Sequence, residues 1–428
     1  MAQSSDSAAP TLVFERLAEI AVGATAQIQL CRVTEGPRAG QFVVVKRLHP
    51  HVAEDPQFVD MFRDEAWMTA ALENPHVVQV ISWGVDEQGA YLAAEFVRGV
   101  SLARLMKTVF ETGEQFTERQ VVYLGFCICD GLAAAHSLRS PNGQLLNLVH
   151  RDMTPGNVLL GFDGQVKIAD FGLAKARMRL TKTLTGLLKG QPHYMAPEQI
   201  KSLPIDGRTD IFAFGVVLYE LFAGRRPWNA QSDLEAMRAT LEQNPAPLDE
   251  HRPSIDKALV KLVDKCLQKD PAARFQTADV LRDEFSKWLQ AHGYREDNDI
   301  ALARFVRRNA MRQMRWFDRA MAGHFAKGPA TDLEQSDTVA ASPQGRGRPG
   351  AAISVPPSAP IGGSEPPPGN GVDWAEEEGP TLIQPDQKGK GVLRKLTAGL
   401  RRGSRPRGSG RRRLPTAPTR PAVALDGL

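Results

Sequence analysis

The sequence predicts an α+β fold with two lobes, a small β-rich lobe followed by a larger helical one. Strand-type segments crowd into the first 95 residues, and amphipathic helical segments dominate from residue 101 to residue 290. Proline and glycine then make up 31 of the 101 residues from 328 to 428. We therefore expect a disordered start (1–11), a small lobe (12–97), a large lobe (98–292), a basic amphipathic helical extension (293–327) and a disordered tail (328–428).

The composition of the chain is that of a folded soluble protein. The 428 residues carry a formal charge of +4, with 24% charged and 42% apolar residues. The longest apolar run, Ile211–Leu218, is too short for a membrane span, which needs about 20 residues. The first ten residues lack the basic start and apolar run of a secretory signal, and four cysteines make no disulfide framework. These features predict a cytoplasmic location.

The small lobe is predicted from β-branched or alternating segments. The strands expected on this basis are Gln27–Val33, Phe42–Lys46, Val77–Trp83 and Tyr91–Phe96. One strong helix near Pro56–Leu72 interrupts them. This arrangement indicates a sheet with a single covering helix.

The large lobe is predicted from helical periodicity. The helices expected are Thr117–Ser137, Thr209–Ala223, Ile255–Gln268 and Thr277–Trp288. Two short strands, Val158–Leu160 and Val166–Ile168, should form a hairpin around Asp163-Gly164. Apolar residues at helical spacing predict one further helix, Asp299–Met321, ended by Gly323.

Basic residues occur in two places outside the lobes. The predicted helix Asp299–Met321 carries a stripe of arginines. We interpret this stripe as the solvated face of a helix docked on its own domain rather than as a membrane or nucleic-acid site. The segment 388–413 has eleven Lys or Arg and no acidic residue. An acidic partner and a membrane surface both fit this cluster, while the lack of aromatic residues argues against specific nucleic-acid binding.

Three motifs follow one another along the chain. They are His150-Arg151-Asp152-Met153-Thr154-Pro155-Gly156-Asn157, Asp170-Phe171-Gly172 and Ala196-Pro197-Glu198. In this order they resemble the signatures of protein kinases, most closely the bacterial serine/threonine kinases of the eukaryotic type. The resemblance extends over roughly Leu12–Leu289. It implies the two-lobed protein-kinase-like fold, ATP with Mg²⁺ or Mn²⁺, and protein substrates.

The resemblance assigns the catalytic roles. Asp152 would accept the proton of the substrate hydroxyl, while Asn157 and Asp170 would hold the metal through hard oxygen ligands. Lys46, at the end of Val43-Val44-Val45-Lys46, would contact the α- and β-phosphates and pair with Glu65 of the small-lobe helix. Asp210 and the pair formed by Glu198 with Arg274 would belong to the scaffold.

The resemblance also outlines a nucleotide site. Backbone groups of Glu95 and Val97 would bond adenine at the link between the lobes, and Ala94 would be the gatekeeper in front of a rear pocket. The nucleotide-binding residues implied are Ile20, Gly23, Ile28, Val45, Lys46, Ala94, Glu95, Val97 and Leu159. The glycine-rich loop keeps only Gly23 because alanines occupy its outer glycine positions, 21 and 26, so we expect weakened nucleotide binding.

Two further departures from the family pattern bear on which hydroxyl accepts the phosphate. Thr154 stands where most serine/threonine kinases have a lysine, and Gln191 replaces a common threonine. Both belong to one network around the catalytic aspartate in the family, so the choice between strict Ser/Thr and dual specificity stays open. A catalytically weak pseudokinase-like scaffold that signals by contacts alone is the alternative function.

Regulation by phosphorylation is expected at two places. Arg151 before the catalytic aspartate implies pairing with a phosphothreonine of the segment that follows Gly172. The candidate threonines there are Thr181, Thr183 and Thr185. In the tail, Thr338 and Thr381 lie after acidic residues. We expect the kinase to phosphorylate them itself, and the phosphothreonines to be docking points for phosphothreonine-reading modules.

Overall fold

The small lobe is a five-stranded antiparallel sheet. The computed structural model describes residues 12–23, 25–171 and 192–323, except for the side chain of Glu65. The strands are β1 (Phe14–Val22), β2 (Ala26–Val33), β3 (Phe42–Leu48), β4 (Val80–Asp86) and β5 (Gly89–Glu95), and their order in the sheet is β1-β2-β3-β5-β4. β1 is absent from the strands predicted by sequence. β4 begins at Val80, because Val77 instead bridges to Ile168 of the other lobe.

Two helices follow β3, α1 (Pro50–Ala53) and α2 (Pro56–Ala70). The side chain of Asp55 caps α2 by accepting a hydrogen bond from the Gln57 N–H, and Pro56 fits the first turn because no partner is needed for its nitrogen. Phe58 and Phe62 are buried against Leu48 of the sheet. The helix predicted between the strands is thus confirmed, and it covers one face of the sheet.

The large lobe contains a three-stranded sheet and a set of helices around one core. The strands are β6 (Gly99–Ser101), β7 (Val158–Gly161) and β8 (Val166–Ile168). The helices are α3 (Leu102–Glu111), α4 (Glu118–His136), α5 (Pro197–Ile200), α6 (Gly207–Ala223), α7 (Asp233–Glu242), α8 (Leu248–His251), α9 (Lys257–Cys266) and α10 (Ala278–Ala291). Single 3₁₀ turns occur at Pro155–Asn157, Pro192–Tyr194 and Pro271–Ala273.

Helix α6 lies at the centre of the large lobe. It is buried from Thr209 to Tyr219, and Asp206 caps its first turn while Gly224 ends it at φ +69°. Helix α4 begins with a reciprocal capping box between Thr117 and Gln120. The two-lobed α+β fold and the four predicted large-lobe helices are therefore confirmed; α3, α5, α7 and α8 are additions that the sequence patterns did not predict.

The C-terminal extension is two helices where the sequence predicted one. α11 (Asn298–Asn309) and α12 (Met311–Met321) meet at Ala310, whose dihedral angles of φ −123° and ψ 31° interrupt the helix. Periodicity misses this break because Ala310 is buried and keeps the apolar spacing.

The extension is docked on the folded domain. Phe305 and Val306 of α11 are buried in the large-lobe core. Arg308 pairs with Glu114 at 2.9 Å, and Arg307 donates a hydrogen bond to the carbonyl of Phe162. These contacts confirm that this helix packs on its own domain.

Within the described ranges, no helix has the length and apolar character that crossing a membrane requires. The predictions of disorder for 1–11 and 328–428, and those for the basic cluster 388–413, Thr338 and Thr381, lie outside the described residues.

Candidate active site

The loop after α4 presents Asp152 beside Asn157. The 3₁₀ turn Pro155–Asn157 brings the Asn157 side chain back toward the start of the loop. Its amide nitrogen donates to the Asp152 backbone carbonyl at 2.7 Å and to the Asp152 carboxylate at 3.2 Å. The amide thereby fixes the position of the carboxylate that sequence reasoning selected as the base.

Asp210 of α6 supports the same loop from below. Its carboxylate is fully buried and accepts the backbone N–H groups of His150 and Arg151, each at 2.8 Å. His136 lies 2.8 Å from the same carboxylate. Burial by itself would raise the pKa of Asp210, but the bond and charge of His136 together with the backbone N–H of Arg151 hold that pKa below its usual range.

Arg151 occupies an unusual backbone conformation. Its φ is +69°, which a non-glycine residue adopts only when its surroundings enforce it. The Asp210 carboxylate holds its N–H, and the side chain of Gln199 donates to its carbonyl at 2.8 Å. Sequence reasoning assigned Asp210 to the scaffold and did not select Gln199, yet both set the geometry of the residue directly before Asp152.

Lys46 meets Asp170 across the cleft between the lobes. The Lys46 ammonium lies 2.7 Å from an Asp170 carboxylate oxygen, and the lysine is 7% exposed. Asp170 has φ +61°, a second non-glycine residue in the left-handed region near the site. The side chain of Glu65 lies outside the description, so its pairing with Lys46 stays a prediction; its backbone belongs to α2.

His150 joins the two catalytic segments. Its ring Nε2 lies 2.9 Å from the carbonyl of Ala169, and its ring meets that of Phe171 edge-on at a centroid distance of 4.7 Å. The loop that carries Asp152 and the segment that carries Asp170 are therefore packed as one unit.

The donor set suits a hard divalent cation. The Asn157 nitrogen is engaged by Asp152, and among the hydrogen bonds of the described residues none engages the amide oxygen of Asn157. Its backbone carbonyl accepts from the N–H of Ala169, the residue before Asp170. One amide oxygen and one carboxylate from adjoining segments are ligands of the kind that Mg²⁺ prefers.

The sheet register defines which residues face the cleft. Ile28, Lys46 and Leu92 stand opposite one another across β2, β3 and β5, as do Leu30, Val44 and Ala94 in the next such row. Directly paired residues project on one face, so both rows share the Lys46 face.

The assignment of Val45 as an adenine wall is wrong. Val45 is fully buried on the opposite face, with Val43, Tyr91 and Ala93. Side chains alternate along a strand, so the residue that shares the Lys46 face is Val44. Three consecutive valines hid this one-residue difference from sequence reasoning.

Ala94 and Leu159 keep cleft-facing positions. Ala94 is 8% exposed and pairs with Val44. In β7, Val158 and Leu160 are buried in the large-lobe core, while Leu159 between them is partly exposed and must point the other way. These two positions agree with their predicted place at the nucleotide site.

The loop between β1 and β2, proposed from the resemblance as the phosphate loop, holds Gly23 by two hydrogen bonds. The Gly23 N–H donates to the Ala26 carbonyl at 2.9 Å, and Nε2 of His49 lies 2.8 Å from the Gly23 carbonyl. A Cβ added to Gly23 would meet only the Ala26 carbonyl, at 3.4 Å, which is an ordinary van der Waals contact. Residue 24 is outside the described ranges.

The link between the lobes is tied by Glu95. Its carboxylate lies 2.7 Å from the ammonium of Lys167 in β8 and accepts the N–H of Gln79 at 2.8 Å. Lys167 is 8% exposed. A lysine in an otherwise apolar short strand was the available signal for this pair, and sequence reasoning overlooked it.

Thr154 is buried beside the catalytic residues, at 1% exposure. Within the part of the chain that the structure describes, its hydroxyl has no hydrogen-bond partner. Gln191 and the candidate regulatory threonines Thr181, Thr183 and Thr185 lie outside the described residues, so the switch built on Arg151 stays a prediction.

Glu198 and Arg274 form a buried bidentate pair at 2.7 and 2.8 Å, as sequence reasoning expected of the scaffold. Burial opposes ionisation of Glu198, but the two bonds from Arg274 hold its pKa below the usual range.

A two-lobed fold with a lysine, an aspartate and an Asp–Asn loop in its cleft defines a phosphotransferase of the protein kinase class. The family model described as the protein kinase domain matches residues 14–286. The chain belongs to this family, which uses ATP and a divalent metal.

Curated relatives are bacterial kinases. The tyrosine-protein kinase MasK of Myxococcus xanthus is 36% identical over 283 residues, 66% of this chain and 43% of that protein. A probable serine/threonine-protein kinase of Clostridium acetobutylicum is 34% identical, over 63% of this chain and 38% of that protein. The serine/threonine-protein kinase PknA of Mycobacterium tuberculosis is 32% identical, over 58% and 55%. The chain thus spans about half the length of these relatives or less.

A crystal structure of the Mycobacterium tuberculosis PknI kinase domain has a TM-score of 0.50 and 24% identity. The match covers 65% of this chain and 96% of that one. This likeness supports the fold.

Proposed function

We propose that the protein is an ATP- and Mg²⁺-dependent protein kinase that phosphorylates serine and threonine hydroxyls of proteins. The observation that carries the proposal is the meeting of Lys46 with Asp170, 2.7 Å apart, next to the Asp152–Asn157 unit. Phosphoryl transfer needs positioning and neutralisation of charge more than covalent help from the protein. This cleft offers one cation, two metal-type ligands and one base.

Each residue then has a role in the transfer. Lys46 holds the α- and β-phosphates, with Glu65 as its proposed partner. Asn157 and Asp170 would hold Mg²⁺, which neutralises charge on the phosphates when bound. Asp152, oriented by the Asn157 amide, aligns the acceptor hydroxyl and takes its proton.

The adenine site is proposed at the link between the lobes. Backbone groups of Glu95 and Val97 would bond the base, and the apolar residues on its two sides would be Ile20, Ile28, Val44 and Leu159. Gly23 would approach the phosphates, and Ala94 would border a pocket behind adenine. The Glu95–Lys167 pair supports this placement because it anchors the link to the large lobe.

Tyrosine is a second candidate acceptor. One relative bears the printed name of a tyrosine-protein kinase, and Thr154 brings no charge where a lysine is usual in serine/threonine kinases. An uncharged residue two positions after the base places no cation beside the acceptor.

Incubation of the pure protein with Mg²⁺ and labelled ATP tests the proposal. We expect phosphoserine and phosphothreonine in the protein and in a generic basic substrate, read out by phosphoamino acid analysis. Asp152→Asn and Lys46→Met should each lower the rate by about 10²–10⁴-fold with unchanged melting curves. Asp64→Asn, in the exposed part of α2, serves as the matched control. Phosphotyrosine as the main product would establish the second candidate, and full activity of Asp152→Asn would refute the enzyme.

A further inference from the structure

Helix α12 lies under the small-lobe sheet, on the face that looks into the cleft. Ala320 is 1% exposed and forms a cluster with Ala18 of β1 and Leu30 of β2. Leu30 pairs with Val44, which shares its face with Lys46. The last helix of the described chain therefore packs on the same face of the sheet as the proposed nucleotide site.

The contact extends to the roof of that site. Ile20, two residues beyond Ala18, packs against the same cluster, together with Trp316 and Met321 of α12. β1 is irregular between Glu19 and Ala21, so the position of Ile20 follows from its packing against the cluster of Ala18, Leu30 and Ala320 and not from strand alternation. A residue proposed to cover adenine therefore belongs to the same apolar cluster as α12.

α12 also holds the link between the lobes. The ring of Phe317 packs on the ring of Phe96 at 5.3 Å, directly between Glu95 and Val97 in sequence. Asp318 pairs with Arg98, two residues after Phe96. Both proposed adenine-bonding residues consequently lie next to a residue that α12 contacts.

The other end of the extension is anchored in the large lobe. α11 buries Phe305, whose ring lies 5.1 Å from that of Phe116, and the Asp299 backbone sits so close to Gly164 that a Cβ there would approach it to 2.1 Å. The two extension helices therefore connect the large lobe to the cleft face of the small lobe. A change in the distance between the lobes has to disturb one of these contacts.

We propose that α12 is a working part of the nucleotide site: it positions the roof residue Ile20 and the adenine-bonding link, so that ATP affinity depends on residues near the end of the extension. This inference rests on the nucleotide-binding function proposed above. Phe317 and Ala320 are positioning residues in this scheme, since they act through Phe96 and Leu30. In this scheme α12 covers the apolar surface formed by Ala18 and Leu30. Nucleotide binding and the docking of α12 then stabilise each other.

Two phenylalanines of the extension make a matched test. Phe317 and Phe305 are 8% and 6% exposed, and each packs on an aromatic ring outside the extension, that of Phe96 and that of Phe116. Phe317→Ala removes the contact with the link, and Phe305→Ala removes an equivalent contact within the large lobe. Titration calorimetry with MgADP on the full chain should give a Kd raised about fivefold or more for Phe317→Ala and unchanged for Phe305→Ala. Steady-state kinetics should show the same split, with KM for ATP raised in Phe317→Ala alone and kcat kept within about twofold.

Hydrogen exchange of the wild-type chain tests the inference without any substitution. MgADP should slow exchange of the amides of Trp316–Ala320 and leave those of α11 unchanged. Equal Kd values for the two variants, or equal exchange with and without MgADP in α12, would overturn the role of α12 while leaving nucleotide binding intact. A wild-type chain that failed to bind MgADP would overturn the proposed function and this inference together.

Discussion

The catalytic loop and the phosphate loop would hold the same nucleotide from opposite sides, yet they are built differently. The catalytic loop is fixed by side chains from elsewhere in the fold: Asp210 holds two of its N–H groups and Gln199 one of its carbonyls. The phosphate loop is held by its own turn and by His49. One loop is held by side chains of the large lobe, and the other by its own turn and a single side chain at the end of β3.

This difference follows from what each loop does. A base must stand at one distance from the acceptor, and a misplacement of about 1 Å is costly, so fixed backbone strain at Arg151 is tolerated. A phosphate loop offers backbone N–H groups, which alanine supplies as well as glycine. Substitutions should therefore do much more harm in the first loop than in the second.

The largest effect is expected from Asp210→Asn. An amide in this position offers its NH₂ group to donors, so at least one N–H of His150 or Arg151 loses its acceptor and the loop shifts. We expect kcat to fall about 100-fold, with KM for ATP changed little, measured with labelled ATP. Asp206→Asn, at the exposed start of the same helix, is the control and should stay within about twofold.

The depressed pKa of Asp210 gives this prediction a pH dependence. A carboxyl whose pKa is lower in the folded state than in the unfolded state stabilises the fold when the pH is above the unfolded pKa, near 3.9 for aspartate. That stabilisation is lost as the pH falls through the folded pKa. Melting temperatures measured downward from pH 6 should fall less steeply in Asp210→Asn than in the wild type. Equal slopes would mean that another carboxylate dominates the acid limb.

An intermediate effect is expected at Ala94, the proposed gatekeeper. Ala94 pairs with Val44 on the Lys46 face, and in that role its small side chain would leave space that a bulky adenine-mimicking inhibitor can fill. Burial of about 55 Å² of inhibitor surface, at ~25 cal/mol per Å², corresponds to about tenfold in affinity. Ala94→Phe should raise the inhibitory concentration about tenfold and keep ATP turnover, and Ala94→Val should fall between. Identical inhibition of all three proteins would remove Ala94 from the pocket.

The smallest effect is expected from restoring glycine to the phosphate loop. The double variant Ala21→Gly, Ala26→Gly frees the turn to approach phosphate, so KM for ATP should fall about threefold with kcat unchanged. Ala90→Gly in β5 is the control for the loss of strand stability and should leave KM as it is. A change in kcat comparable to that of Asp210→Asn would contradict the contrast between the two loops.

The sequence was a good guide where chemistry is local and a poor one where it depends on distant contacts. Three ordered motifs predicted Asp152, Asn157 and Asp170, and the structure brings the first two into contact and the third to Lys46. The residues of each motif are close together in the sequence, so their spacing alone identifies them.

The misses have physical causes. Val45 was chosen over Val44 because a run of identical valines carries no period-2 signal. The break at Ala310 escaped because an alanine fits a helix as well as its end. The contacts of α12 with Ala18 and Leu30 join residues about 300 positions apart, and no local pattern reports such a pairing.

That long separation has a consequence for synthesis. A ribosome makes about 5–20 residues per second, so the surface formed by Ala18 and Leu30 waits roughly 15–60 s before Ala320 is made. Until then an apolar strip of the small lobe is uncovered. On the proposal made for α12, the nascent chain would fold its catalytic loop first and acquire full affinity for ATP last. Newly made protein would thus pass through a stage in which its catalytic loop is folded but its affinity for nucleotide is still low.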